Sequence, residues 1–238
     1  MGGEVMERGR RVVIEGTDGT GKSTIADITA EMLRHNGKHV IRLDEPDSAI
    51  DEDGTILVPA ARELRKLIKD GSIERTPEAN VTLFTATRLA NWLQATKPAL
   101  ERGDWVVQAR DYTSTEAYQG YAEGYGIENV AYITHQTLGN DYMLPDARVI
   151  LDFDDNAEEE RKRRIQQRGI LETPDTFEMR GDDFQQRVRD GYRLIARRDN
   201  IPLISSQQEK EVVAREVWAQ IMGQVGLSLV FDRFDGTR

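Results

Sequence analysis

Gly16-Thr17-Asp18-Gly19-Thr20-Gly21-Lys22-Ser23 follows directly on the apolar run Val12-Val13-Ile14. The stretch fits the spacing G-x-x-x-x-G-K-S of a phosphate-binding loop. Its glycines let successive backbone N–H groups turn inward into a concave nest for anions, and the N-terminus of the helix that follows adds to the same field. Gly16, Thr17, Asp18, Gly19, Thr20, Gly21, Lys22, Ser23 and Thr24 are therefore candidates to hold a nucleoside triphosphate. Lys22 is placed to reach its β and γ phosphates, and the Ser23 hydroxyl to ligate Mg²⁺. The setting agrees. A β-branched run precedes the loop, and Thr24 to Asn36 has the periodicity of an amphipathic helix.

The whole chain narrows the choice of ligand. Its 238 residues suffice for a substantial core, and a formal net charge of −10 argues against a protein that coats nucleic acid, since phosphate backbones demand a basic face. An anionic ligand must then meet a local basic pocket. The lack of cysteine excludes disulfides and thiolate zinc sites and fits a reducing compartment. Met1 to Arg11 has no apolar core of signal-peptide type, and no later run reaches transmembrane length. The expectation is a cytoplasmic protein with no membrane partner.

Read in order, the chain alternates. Arg11 to Glu15 and His39 to Leu43 read as buried parallel strands, separated by a helix that stops at Gly37. Asp47 to Thr55 reads as an acidic surface loop. Helical periodicity covers Leu57 to Lys69 and Pro77 to Glu101, the latter with room for a break and with Pro77 suited to its first turn. Trp105-Val106-Val107 is a third strand, which delivers Arg110 and Asp111 to the edge where open α/β sheets bind ligands. Two helical stretches fall within Thr115 to Gly139, and a fourth strand spans Ala147 to Phe153. A highly charged helix starts at Asn156, another near Asp182, and a short last strand at Ile201 to Ile204 precedes a helix from Glu209 to Gln224. This alternation predicts an α/β fold, a parallel sheet with helices on both faces, in a single domain over residues 1–238.

Ala109-Arg110-Asp111-Tyr112-Thr113-Ser114-Thr115-Glu116-Ala117-Tyr118-Gln119-Gly120 carries the more specific signal. With the loop, Glu45-Pro46 and the stretch from Phe84 to Arg88, it resembles the thymidylate kinase family, whose hallmark is D-R-x-x-x-S-x-x-A-Y-Q-G. The resemblance implies transfer of the ATP γ-phosphoryl group to deoxythymidine monophosphate (dTMP), giving dTDP and ADP with Mg²⁺ as cofactor. It also implies a five-stranded sheet of the phosphate-loop kinase fold with a helical lid, here at about 156–181, a tail at 227–238 and a homodimer. Within the resemblance, Asp18 meets the sugar 3′-hydroxyl or the metal shell, and Phe84 stacks on thymine with Arg88 at the base edge. Arg110 forks onto phosphate oxygens. Thr115 faces the base, Tyr118 lies under the deoxyribose, and Ser114 and Gln119 complete the acceptor site. Glu45 sits near the acceptor phosphate and metal, and Arg62 in the helix beyond the insertion. Ser23 is the metal ligand, with Asp18 and Glu45 as further candidates.

Gly19 stands where some members of that family carry an arginine, which moves the search for a phosphate-neutralising charge to the lid. Arg161, Arg164 and Arg168 share one helical face at i, i+3 and i+7. The same run also fits a solvated helix, because Glu158, Glu159 and Glu160 each precede a basic residue by four positions. Three departures from the family pattern stand out. Ala109 replaces the carboxylate before the hallmark arginine, an acidic insertion separates Glu45-Pro46 from Gly54-Thr55, and the lid stretch Asp175-Thr176-Phe177-Glu178 lacks its arginine. Two other readings stay open: a kinase for another or modified deoxypyrimidine nucleotide or nucleoside, and a nucleotide-binding regulator without turnover.

Overall fold

Strand β1 (Arg11–Gly16) is buried along its whole length, as a continuous apolar run covered on both sheet faces requires. It pairs in parallel with β3 (Trp105–Ala109) on one side and β4 (Ala147–Asp152) on the other. Strand β2 (Val40–Asp44) lies outside β3, and β5 (Leu203–Ser205) outside β4. The order β2-β3-β1-β4-β5 is the five-stranded parallel sheet that the alternation predicts. Connections leaving β1 and β4 run to opposite edges, which opens a crevice beyond the carboxyl ends of the strands. The computed structural model describes residues 7–154, 157–169, 177 and 180–231, with Glu158, Arg168 and Gly169 as backbone alone.

Helices α1 (Lys22–His35) and α10 (Lys210–Val225) cover one face of the sheet. There Leu33, Val217 and Ile221 meet Val12, Ile14, Val107 and Leu151 in one apolar cluster. The other face carries α2 (Pro59–Lys69), α3 (Pro77–Asn91), α4 (Lys97–Glu101), α5 (Tyr112–Thr115), α6 (Ile127–Leu138), α7 (Asn140–Met143) and α9 (Asp182–Arg198). Helix α8 (Glu158–Gly169) follows β4 and lies over the phosphate-type loop.

Several local features differ from the expectations. Pro77 to Glu101 does not break; it winds through a π-helical turn at Trp92–Thr96. A second π-helical stretch, Glu116–Ala122, follows α5 directly and includes Tyr118 and Gln119. Such insertions re-aim side chains without ending the helix and recur at functional sites. The acidic insertion is also more than a surface loop. Ile50 exchanges two backbone hydrogen bonds with Arg42, at 3.0 and 2.8 Å, Ser48 and Ala49 are buried, and Glu52 accepts from Val40 N at 3.0 Å. The insertion thereby covers the open edge of β2. Residues 227–231 pack back as well: Trp218 Nε1 donates to Leu229 O at 3.2 Å, and Phe231 stands edge-on to the Trp218 ring.

Leu33 is fully buried between α1, the sheet and α10. A Leu33→Ala variant should therefore lose about 2–5 kcal/mol of unfolding free energy in chemical denaturation while keeping its native far-UV spectrum. A loss below ~1 kcal/mol would mean that this face is not close-packed.

Candidate active site

The loop leaves β1 at Gly16, where φ is 145° and an added Cβ would stand 2.5 Å from the Leu151 carbonyl oxygen. A side chain there would force the loop off the sheet. Gly19, at φ 89°, packs less tightly against α8: a Cβ would approach the Arg161 carbonyl oxygen and Cγ at 3.2 Å. Helix α1 then starts behind Gly21 with no side-chain cap, which leaves its first-turn N–H groups for an anion.

On the inner side of the loop, at the carboxyl ends of β1, β2 and β3, a cavity encloses about 320 Å³. Asp18 is its pivot. Lys22 Nζ donates to Asp18 Oδ1 at 3.2 Å, Arg110 Nη2 donates to the same oxygen, and Tyr118 OH donates to Oδ2 at 2.7 Å. Burial works to raise the Asp18 carboxyl, but Arg110, Lys22 and the Tyr118 hydroxyl outweigh it and hold the group well below the ordinary carboxylate range. Burial and the Arg110 charge lower the Lys22 ammonium, against the pull of Asp18 and Asp44. Arg110 reaches this position because its own backbone is left-handed, at φ 68°. Non-glycine residues adopt that region rarely. Here Arg110 N donates to Ile14 O at 3.0 Å, and Gln108 Nε2 donates to Arg110 O at 2.8 Å, fixing the turn from both sides.

Farther in, Phe84, Arg88, Thr115 and Gln119 line the same cavity. Arg88 is buried, donating from Nε to Glu45 Oε2 at 2.7 Å and from Nη2 to the Asp111 carbonyl at 2.8 Å. Its Nη1, and both amide atoms of Gln119, are buried with no protein partner. Such groups call for a ligand with its own donors and acceptors. Glu45 accepts from Arg88, from Gln108 Nε2 at 2.7 Å and from Tyr142 OH at 3.2 Å. Burial raises its carboxyl against the pull of Arg88. Glu45 thus lines the cavity while its oxygens are taken by protein donors.

Ser114 is carried by α5, whose N-cap is Asp111; the Asp111 carboxylate accepts from Thr113 N at 2.7 Å and from Arg148 Nη2 at 2.6 Å. Asp111 therefore faces into the protein rather than toward Arg110, as its position one residue beyond Arg110 implies. Arg62 pairs with Asp47 at 3.1 Å and is absent from the cavity wall. Arg65, one turn later, pairs with the other Asp47 oxygen at 3.3 Å and lines the cavity. Its spacing from Arg62 on α2 was a usable signal. Phe177 closes the cavity, with ring centroids 6.1 Å from both Phe84 and Tyr118.

On the outer side of the loop, Lys22 and Ser23 also line a second cavity of about 340 Å³ together with Thr24, Arg164, Ile165 and Gln167. It adjoins a third of about 540 Å³ between Thr20, Thr24, Arg164 and Gln207. Arg161 is buried against Gly19. Arg164 donates to Glu160 at 2.7 Å and to Ser206 O at 2.9 Å, with its guanidinium 5.4 Å from the Phe153 ring. The Arg168 side chain and the stretch Asp175, Thr176 and Glu178 lie outside the described residues. Glu160 takes both Arg163 and Arg164, the ion pairing expected of a charged helix.

Among the described residues no cluster of three His, Cys, Asp or Glu is arranged to hold a metal, and no helix is long and apolar enough to cross a membrane. One carboxylate is weakly engaged. Asp44 lines the cavity beside Ser23, and Arg42 Nη2 lies 3.2 Å from Ser23 O and 3.7 Å from Asp44 Oδ2. Asp44 is also the register partner of Ala109 on the neighbouring strand.

The Arg88–Glu45 pair is buried on both sides, so removing one partner strands a charge. Glu45→Ala should lower unfolding free energy by about 3–5 kcal/mol. Asp47→Ala, which breaks the half-exposed Arg62 and Arg65 pairs, should cost less than about 1 kcal/mol. Equal losses in parallel denaturant titrations would contradict this division.

A model of the thymidylate kinase family matches residues 14–217. The chain is 35% identical over 218 residues to a protein named thymidylate kinase from Rhizorhabdus wittichii, covering 89% of this chain and 96% of that one. It is 31% identical over 223 residues to a thymidylate kinase of a Psychrobacter species, covering 92% and 100%. A thymidylate kinase of Chlamydia caviae is 32% identical over 186 residues, covering 78% and 83%. The chain belongs to the thymidylate kinase family, a family of phosphotransferase enzymes.

Proposed function

We propose that the protein transfers the γ-phosphoryl group of ATP to dTMP, giving dTDP and ADP. The observation that carries this reading is that Lys22 and Ser23 line cavities on both sides of one loop, so a donor and an acceptor can meet across them. ATP occupies the outer side, with its phosphates on the loop N–H groups and Lys22 and its base toward Arg164 and Gln207. The acceptor occupies the inner side. Its phosphate lies on Arg110, whose fork suits phosphate oxygens. Its base lies against Phe84, within reach of Arg88 Nη1 and the Gln119 amide, which suit the carbonyls and imide N–H of thymine. Its sugar lies over Tyr118, where a ribose 2′-hydroxyl would meet the ring.

An oxygen of the acceptor phosphate attacks the γ phosphorus in line; the new O–P bond forms as the bond to the β-phosphate oxygen breaks, and ADP leaves. The attacking oxygen is already anionic, so no protein base is required. Positioning and charge neutralisation by Lys22, Arg110 and lid arginines drawn from Arg161, Arg164 and Arg168 account for catalysis. Ser23 and Asp44 are the oxygen donors that fit a hard divalent cation, because Asp18 and Glu45 are already neutralised by arginine and lysine. Mg²⁺ held there would neutralise charge on the transferring phosphates. Helix α8 belongs to the lid at about 156–181. A cytoplasmic homodimer is the expected assembly, for which Leu93 and Tyr132 offer exposed apolar surface.

The test is ADP release from Mg-ATP with a panel of nucleosides and monophosphates. Selective turnover of dTMP is expected, with Lys22→Ala and Arg110→Ala each lowering kcat/KM by roughly 10²–10³-fold while leaving the protein folded. Preference for another acceptor would move the reading to a related kinase, and no turnover with any acceptor would overturn it.

A further inference from the structure

Glu15, the residue before the loop, is fully buried at the end of β1 and belongs to no wall of the cavity. Its carboxylate nevertheless gathers four donors from elements that build the acceptor site. Asp111 N donates to Oε1 at 2.5 Å and Ser114 N at 3.2 Å. Ser114 Oγ lies 2.7 Å and Tyr192 OH 2.9 Å from Oε2, and Ser114 Oγ and Tyr192 OH lie 2.8 Å from each other. Ser114 Oγ in turn accepts from Arg110 Nη1 at 3.1 Å. A single carboxyl therefore ties the start of the loop, the turn after β3, helix α5 and helix α9 to the arginine that faces the acceptor cavity.

The three oxygens Glu15 Oε2, Ser114 Oγ and Tyr192 Oη form a closed triangle, and its three edges need three protons. Serine and tyrosine supply one each. With an ionised carboxylate one edge would set two lone pairs against each other at hydrogen-bond distance; with a protonated carboxyl every edge holds a proton, and Ser114 Oγ keeps a lone pair for Arg110. A neutral Glu15 also leaves the Arg110 charge undivided, answered by Asp18 alone until a phosphate arrives.

We propose that Glu15, carrying a proton, is a positioning residue that holds Ser114 and Tyr192 in this triangle and through Ser114 orients Arg110 toward the acceptor phosphate. The groups that face it are Arg110 and Asp111 from the end of β3, Ser114 from α5 and Tyr192 from α9. Complete burial and the neighbouring Asp111 carboxylate push the Glu15 carboxyl up to about 7 against the pull of Arg110. Because the folded value lies above the ordinary one, the folded state binds the extra proton between about pH 4.5 and 7. Stability from this group falls as pH rises through that window.

The proposal rests on dTMP as the acceptor for its kinetic arm and is independent of any ligand for its stability arm. Glu15→Gln keeps the shape of the protonated acid and can donate into the triangle, so it should retain the parent KM for dTMP within about threefold. Glu15→Ala should raise that KM by about tenfold or more, because Arg110 loses its support through Ser114. Tyr192→Phe removes two of the three edges but leaves the contact between Ser114 Oγ and Glu15 Oε2, and should fall between them. In thermal melts from pH 5 to pH 8 without nucleotide, Glu15→Gln should gain on the parent as pH rises, since it removes a group that titrates in the folded state. A Glu15→Gln variant that loses dTMP affinity as badly as Glu15→Ala, or whose melting temperature tracks the parent at every pH, would overturn the proposal. If the parent itself fails to turn over dTMP, the functional reading falls, and the melting comparison still decides on Glu15.

Discussion

The site depends on one carboxylate shared by two cations. Asp18 takes Lys22 from its own loop and Arg110 from the turn after β3, and Tyr118 from the π-helical stretch closes its other oxygen. Without a buried anion between them, two like charges in one low-dielectric cavity would repel strongly and shift their proton affinities. Asp18 therefore makes the donor loop and the acceptor end one electrostatic unit. Negative charge entering from either side competes with Asp18 for the same cations, which is a physical route for one nucleotide to feel the other.

Around that pivot the fold arranges support in layers. Gly16 lets the loop leave the sheet at a distance that a Cβ would forbid, and Gly19, in the left-handed region, lets it pass tightly under α8. Behind Arg110, Glu15 and Gln108 fix the hydroxyl and the carbonyl that set its direction. Behind Arg88, Glu45 takes Nε and the Asp111 carbonyl takes Nη2, which leaves Nη1 for a ligand. Buried ion pairs of this kind add little stability compared with an apolar core, so their value lies in geometry. The net charge of −10 is consistent with such a design, because the cations that matter are concentrated in a closed pocket rather than spread over the surface.

The sheet and most of the pocket were legible in the sequence. The loop and the stretch from Arg110 to Gly120 carry their chemistry in local spacing, and strand periodicity gave all five strands to within a residue or two. What escaped was set by contacts distant in sequence. Glu15 looks like the polar end of a strand, and the approach of Asp111 and Ser114, about a hundred positions later, and of Tyr192, 177 positions later, turns it into a hub. The π-helical turns at Trp92–Thr96 and Glu116–Ala122 have no compositional signature, so the sequence shows only room for a break somewhere in Pro77 to Glu101 and two helical stretches within Thr115 to Gly139. Arg62 and Arg65 share a face of α2, and which of them reaches the cavity is decided by the angle at which that helix packs. In the insertion, the acidic residues hid Ile50, whose backbone pairing with Arg42 depends on the unpaired edge of β2.

The central claim is that Asp18 and Arg110 act as a unit across the two halves of the site. A double-mutant cycle on kcat/KM for dTMP, using Asp18→Asn, Arg110→Lys and the double variant, tests it most directly. The account predicts strong non-additivity, with the double variant at least about tenfold more active than the product of the two single losses would allow. Losses that simply multiply would show that the two residues act independently and would contradict it.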